Sequence, residues 1–312
     1  MSDRVITMRR LGTHGRFANQ LFQYAFLHAY AEPRGLEVQI PSWAGKHLFG
    51  LHDSPVSVKL PQVVEKAGDD GYSIPPVGDE LVNKDWAGYG QFHTSWYATA
   101  KQHFHVPFQP IHGVRNRIKP ALDALRSRGK TIVGIHLRRG DYGRSLFYVT
   151  PVSWYLDWLA KHWGRLDNPV LFIATEDASL ATEFAGYNPC LTEDLGINLQ
   201  DVPLANCTYL PPDLQDHDPR AMDFYPDFWL LQHSNILLIP NSSFSFVAAM
   251  LNKNLQELWR SDLPTATFHK IDPWNSHPLL QDKAEDYKHI PGVCLDETKY
   301  WVRTGTNKFR EK

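Results

Sequence analysis

The segment His136-Leu137-Arg138-Arg139-Gly140-Asp141-Tyr142 gathers an imidazole, two guanidinium groups and a carboxylate in one short stretch. Neighbouring arginines carry permanent charge on planar forks of N–H donors, which match the oxygens of a diphosphate better than the point charge of a lysine. A second candidate is Asn241-Ser242-Ser243-Phe244-Ser245, where hydroxyls and backbone N–H groups at the start of a helix would favour an anion. The third is Thr175-Glu176-Asp177. His14, Asp141, Glu176 and Asp177 are the side chains that could take a proton from a nucleophile. Each group also has a plainer use: the arginines as a surface ion pair at a strand end, Ser242 or Ser243 as a helix N-cap. Arg139-Gly140-Asp141 is not read as an adhesion signal. The kinase-like His-Arg-Asp echo fails for want of a Gly-rich loop and a downstream Asn.

Three apolar runs must position these groups. Thr131–Leu137 is rich in β-branched residues and breaks directly into the arginine cluster, as a buried strand does when it delivers a site. Val170–Ala174 precedes Thr175, and Ile236–Ile239 precedes the serine turn, which leads into an apolar helix over Phe246–Leu251. In open α/β sheets ligands lie beyond the carboxyl ends of the strands, so the three loops are expected to share one cleft. Helices are expected from a Thr150 N-cap followed by Pro151, and over Phe224–His233, which carries Asp227. Asn188 to Arg220 forms a long Pro- and Asp-rich connection.

The first half begins with a strand near Val5–Met8 and a glycine-containing loop that includes His14, Gly15 and Asn19. Ala18, Leu21, Phe22, Ala25, Phe26 and Ala29 then recur at helical spacing until Pro33-Arg34-Gly35 stops them, and Leu36–Ile40 alternates as a strand. Residues 41–80 show no sustained period. Trp86 to Tyr97 reads as a strand and then a helix running through Ala100 towards Phe104, and another helix is expected near Ile118–Arg126. The division is 1–125, 126–270 and a C-terminal extension over 271–312. The class is α/β with doubly wound sheets.

A chain of 312 residues with net charge −2 and 43% hydrophobic residues gives no electrostatic reason to expect nucleic acid. Cys190, Cys207 and Cys294 are far apart, which suits a reducing compartment rather than a disulfide framework or zinc site. No apolar run approaches the roughly 18 residues of a spanning helix, and the polar start is unlike a signal peptide. A cytoplasmic protein is expected, with peripheral membrane association left open. Asp216-His217-Asp218 and Asp69-Asp70 spell acidic metal motifs, but a metal-bound diphosphate would make the arginines and serine turn redundant.

Four motifs, in order, resemble the GDP-fucose-dependent fucosyltransferases, most closely the α-1,2 family. They are Gly15-Arg-Phe-Ala-Asn19-Gln20-Leu-Phe22-Gln23-Tyr24-Ala25; Gly88-Tyr-Gly-Gln91 with Tyr97; His136-Leu-Arg138-Arg139-Gly-Asp141-Tyr142; and Asn241-Ser242-Ser243-Phe244-Ser245. The resemblance implies a GT-B-like fold of two Rossmann-like domains facing a cleft, inverting transfer of fucose, no cofactor and no metal. GDP-fucose would be the donor and a glycan, through O2 of a galactoside, the acceptor. It further implies that Arg138 binds the β-phosphate, His136 and Asp227 the guanine and ribose side, and Ser242, Ser243 and Phe244 the diphosphate, with Asn19 lining the cleft. Arg138, Asp141 and His14 are the catalytic candidates. The glutamate that α-1,6 relatives carry after the arginine motif has no counterpart in Gly143 to Phe147. Another GDP-sugar, or a non-catalytic binding role, is the alternative.

Overall fold

A computed structural model describes residues 4–197 and 224–294, together with the backbone of Trp301–Arg303 and Phe309–Glu311. The chain divides into two compact units, one formed by residues up to Arg115 with Trp274–Pro278, the other by most of the chain from Asn116 onward.

The first unit opens with β1 (Val5–Thr7) and α1 (Phe17–Ala31), followed by β2 (Glu37–Gln39) and α2 (Ala44–Phe49). Short strands follow: β3 (Gln62–Val64), β4 (Lys66–Ala67), β5 (Ser73–Ile74) and β6 (Lys84–Ala87). The sheet order is β2-β1-β6-β3, and all its pairings are parallel. α1 is buried on nearly every side, which explains its almost wholly apolar sequence. Its end is set by Pro33 in a following 3-10 turn and by Gly35 in the left-handed region.

The aromatic stretch does not form one helix. A 3-10 turn over Thr94–Tyr97 is separated from the short α3 (Gln102–His105). The Tyr97 hydroxyl is anchored on Gly90 O and its ring meets Phe104 edge-on at 5.1 Å, so both rings bury under α1 only if the chain bends between them. α4 (His112–Arg128) starts earlier than its periodicity suggests and carries Pro120 inside. Interior proline costs about 3 kcal/mol. The buried stripe Val114, Ile118, Ala121, Leu122 and Leu125 spans both sides of it and offsets that.

The second unit continues with β7 (Thr131–Leu137), α5 (Val152–His162), β8 (Pro169–Thr175), α6 (Tyr225–Leu231), β9 (Ile236–Ile239), α7 (Ser243–Leu251), β10 (Glu257–Asp262) and β11 (Thr267–Ile271). β12 (Trp301–Arg303) and β13 (Phe309–Glu311) pair antiparallel. The main sheet runs β11-β10-β9-β7-β8, parallel except for β11 at its edge. Pro151, not Thr150, occupies the N-cap position of α5, because the Thr150 hydroxyl is drawn inward to Ser261 Oγ at 3.0 Å. Gly134 lets β7 approach the start of β9: a Cβ there would stand 2.6 Å from Ser234 Oγ.

Register places the loops. β7 pairs with β8 along its whole length, ending at Leu137 opposite Thr175, so Arg138 and Glu176 leave the sheet side by side. β9 pairs with the middle of β7 from Val133↔Ile236 to Ile135↔Leu238 and delivers the serine turn at the same edge.

Candidate functional site

Arg138 is held between two carboxylates. Its Nη2 donates to Asp141 Oδ1 at 2.7 Å, and its Nη1 pairs with Glu176 Oε1. The side chain is 18% exposed and lies 5.3 Å from the Tyr142 ring centre. Glu176 also accepts the backbone N–H of Arg139 at 3.1 Å, which fixes the first turn after β7. Arg139 is half-buried and turns back to donate to Arg138 O at 2.9 Å; burial lowers its pKa, against the favourable charge of Asp177. The two guanidinium groups therefore have different partners, although both lie past the last strand residue. Asp141, a base candidate, is committed to Arg138.

His136 lies beneath the serine turn. It is 3% exposed, its Nδ1 lies 2.9 Å from Ser245 Oγ, and its ring is 5.3 Å from that of Phe244. Burial, then the charges of Arg138 and Arg139, hold its pKa well below the usual imidazole value, so the ring is neutral. Ser242 stands at the N-cap of α7 without a side-chain capping bond, which leaves its hydroxyl uncommitted to the helix; Ser243 and Phe244 are half-buried in the first turn. Asn241 ties the turn down, donating to Leu146 O and Leu280 O while accepting from Leu280 N. The Tyr142 hydroxyl donates to Asn241 O at 3.1 Å and so joins the arginine loop to the serine turn.

Asp227 sits in the first turn of α6 and accepts a short hydrogen bond from the Thr192 hydroxyl. Burial pushes its pKa up to about 7, opposed by the Thr192 bond and reinforced by Glu193. Phe228 of the same helix packs edge-on to Phe244 at 5.2 Å, which links α6 to the serine turn.

His14 and Asn19 belong to the first unit. His14 stacks on Tyr89 at 4.4 Å, and burial with the charge of Arg10 lowers its pKa. Asn19 Oδ1 accepts from Gln91 Nε2 at 2.6 Å. The motif glutamines are clamps: Gln20 donates to Gly12 O and Gly15 O, and Gln23 to His14 O and Gly88 O. Gly15 has φ 78°, and a Cβ there would fall 2.7 Å from Asn19 Nδ2 and 2.8 Å from the Tyr89 ring. Glu65 went unnoticed in the sequence. It accepts from the backbone N–H groups of Tyr89 and Gly90 and from Ser73, and burial raises its pKa against those bonds. Its partners are mostly backbone groups distant in sequence, which leave no motif.

Asp70 accepts from Tyr72 N within a turn, whereas Asp216-His217-Asp218, Cys207 and most of the long connection lie outside the described residues. Among the described residues no three His, Cys, Asp or Glu side chains converge as a metal-ligand set, and no helix is long and apolar enough to cross a membrane.

NodZ, the Bradyrhizobium alpha-1,6-fucosyltransferase, in crystals soaked with GDP-fucose, matches 87% of this chain over 99% of its own with a TM-score of 0.53 and 15% identity. A mutant of Arabidopsis thaliana FUT1 in complex with GDP covers all of this chain and 84% of its own, with a TM-score of 0.55 and 12% identity. The chain has the fucosyltransferase fold, GT-B-like and α/β. In sequence it is 26% identical over 277 residues to Galactoside alpha-(1,2)-fucosyltransferase 1 of Bos taurus, which spans 82% of this chain and 70% of that protein. No family model matches it. The fold and the overall sequence likeness thus agree in pointing to the fucosyltransferases.

Proposed function

We propose that this chain is a glycosyltransferase that moves L-fucose from GDP-β-L-fucose to O2 of a galactoside, with inversion and without a metal. The observation that carries this reading is the convergence of the Arg138 fork and the uncapped α7 N-terminus on one edge of a parallel sheet. The bovine relative supports the linkage, and the fold of NodZ and FUT1 supports the donor.

In the reaction the acceptor oxygen attacks C1 of fucose from the face opposite the diphosphate. The bond from C1 to the β-phosphate oxygen breaks and its electron pair stays on GDP. Fixed donors aimed at that developing charge supply the main stabilisation, and each contributes roughly 10²–10³ in rate. Arg138 and the Ser242, Ser243 and Phe244 turn fill that role, while Asp227 and His136 shape the nucleoside side. Asp141 and Glu176 orient Arg138 in the free protein and are displaced by, or share it with, the phosphate. His14 has the neutral imidazole a proton acceptor requires. No cofactor enters beyond the donor substrate.

The test is GDP release from a panel of GDP-fucose, GDP-mannose and UDP-galactose with lactose as acceptor. Turnover confined to GDP-fucose is expected. Preference for another donor, or none with any, would overturn the reading.

A further inference from the structure

The short run Gly88-Tyr89-Gly90-Gln91 touches both candidate residues of the first unit. The Tyr89 ring stacks on that of His14 with centroids 4.4 Å apart, and Gln91 Nε2 donates to Asn19 Oδ1 at 2.6 Å. Whatever fixes this loop therefore fixes His14 and Asn19 as well. Its carbonyl oxygens are held by two side chains. Gln23 donates through one Nε2 to Gly88 O at 3.0 Å and to His14 O at 2.9 Å, and the Tyr97 hydroxyl donates to Gly90 O at 2.5 Å.

The N–H groups of Tyr89 and Gly90 fall to one carboxylate. Glu65 lies just past the end of β3, where its own N–H donates to Ala87 O at 2.9 Å. Its Oε2 accepts the N–H of Tyr89 at 3.1 Å and that of Gly90 at 2.7 Å, and successive backbone N–H groups of this kind form a cradle for an anion. Its Oε1 accepts the hydroxyl of Ser73, in β5, at 2.6 Å, so the same carboxylate pins the β4–β5 hairpin against the loop. Both oxygens face donors, which suits Glu65 to holding the loop rather than to taking a substrate proton. Gly88 permits the approach: a Cβ there would stand 2.5 Å from Glu65 Cβ and 2.6 Å from its Oε2. The peptide between Tyr89 and Gly90 depends most on this bond. Gly90 sits at φ 65°, and glycine populates either sign of φ, so the peptide can turn over once its N–H is released.

We propose that Glu65 is a positioning residue for the transfer reaction, holding the Gly88–Gln91 loop so that Tyr89 sets the His14 ring and Gln91 sets Asn19. The inference rests on the proposed function, in which His14 takes the proton of the acceptor hydroxyl. Placement matters at that step, because a displacement of about 1 Å costs up to roughly 10²-fold in rate. Arg138, Ser242 and Ser243, which are assigned to the donor, belong to the second unit. Loss of Glu65 should therefore lower turnover and leave donor affinity in place.

The experiment compares Glu65→Ala with Glu65→Gln in the full-length protein. In Glu65→Gln one amide oxygen can still accept both N–H groups while the NH₂ donates to the Ser73 hydroxyl, so loop and activity should be retained. In Glu65→Ala, kcat for fucose transfer to lactose should fall by about 10- to 100-fold, with KM for GDP-fucose and the melting shift induced by GDP unchanged. A second readout is independent of turnover. The His14 imidazole C–H resonances, assigned with His14→Gln, carry the ring-current shift of Tyr89; they should move towards the unstacked position in Glu65→Ala and stay in Glu65→Gln. Thermal melts check folding. Should Glu65→Ala unfold, Glu65→Asp replaces it, its carboxylate withdrawn from the cradle by one methylene, with losses of the same sign. Unmoved His14 resonances in folded Glu65→Ala, full transfer by that variant, a donor KM that rises as kcat falls, or Glu65→Gln as impaired as Glu65→Ala would each overturn the inference. Absence of transfer by the wild-type protein would remove the proposed function, and the resonances alone then decide whether Glu65 places His14.

Discussion

Replacing Arg138 by lysine keeps the charge and removes the fork. In the ligand-free protein one guanidinium reaches Asp141 through Nη2 and Glu176 through Nη1, with 18% of the side chain exposed. A single ammonium on a flexible stem can satisfy one of these carboxylates well and the other poorly. Asp141 is 53% exposed and Glu176 25%, so solvent covers much of the loss and the stability change should stay near 1 kcal/mol. That corresponds to roughly 2–4 °C in melting temperature for a domain of this size. The transition state is different, because charge developing on the β-phosphate needs two aligned donors held in place before the reaction. Loss of one fixed donor there lowers kcat by about 10²–10³, or roughly 3–4 kcal/mol in the barrier. Arg139→Lys should reverse the pattern, since its guanidinium bonds the carbonyl of its own loop and burial lowers its pKa: a melting shift with less effect on turnover. The assay is kcat/KM with GDP-fucose and lactose beside thermal melts of both variants. A folded Arg138→Lys protein with near-wild-type turnover, or one less impaired than Arg139→Lys, would refute the phosphate assignment.

Asp227→Asn should weaken GDP binding yet stabilise the fold at alkaline pH. A carboxyl whose folded pKa of about 7 lies above its unfolded value takes up a proton on folding, so stability falls as pH rises between the two. With about three pH units between the two pKa values at roughly 1.4 kcal/mol each, the variant should gain roughly 3–5 kcal/mol over wild type at pH 8, shrinking towards zero near pH 4 in denaturant titrations; a gain independent of pH would contradict the burial argument. Gly15→Ala forces a side chain into φ 78° against Asn19 and Tyr89, and should cost about 1–3 kcal/mol as well as activity; a neutral effect on both would show the loop to be pliable. GDP should raise the melting temperature where UDP does not, and EDTA should change neither that shift nor turnover. Loss of activity on chelation with recovery in Mg²⁺ or Mn²⁺ would end the metal-free reading.

The chemistry-bearing half of the chain was legible because its strands are buried on both faces. Thr131–Leu137, Val170–Ala174 and Ile236–Ile239 read as continuous apolar runs that end at the charged or hydroxyl-bearing loops, and the sheet aligns those ends. What the sequence did not disclose are contacts fixed by register or by backbone partners. The Arg138–Glu176 pair depends on Leu137 facing Thr175, and the Asp227–Thr192 bond joins two loops far apart in sequence. Glu65 serves backbone N–H groups of Tyr89 and Gly90, which no side-chain pattern records. The aromatic stretch misled because its rings pack from a bent chain rather than from one helical face. His14 and Asn19 lie in the first unit and the other candidate residues in the second.

The central claim is most directly tested by the product. The full-length protein, GDP-β-L-fucose and lactose are incubated without added metal, and the trisaccharide is examined by NMR. The account predicts an α-configured fucose with its C1 bonded to galactose O2. A β-configured product, attachment at another oxygen, or recovery of free fucose with no trisaccharide would contradict it.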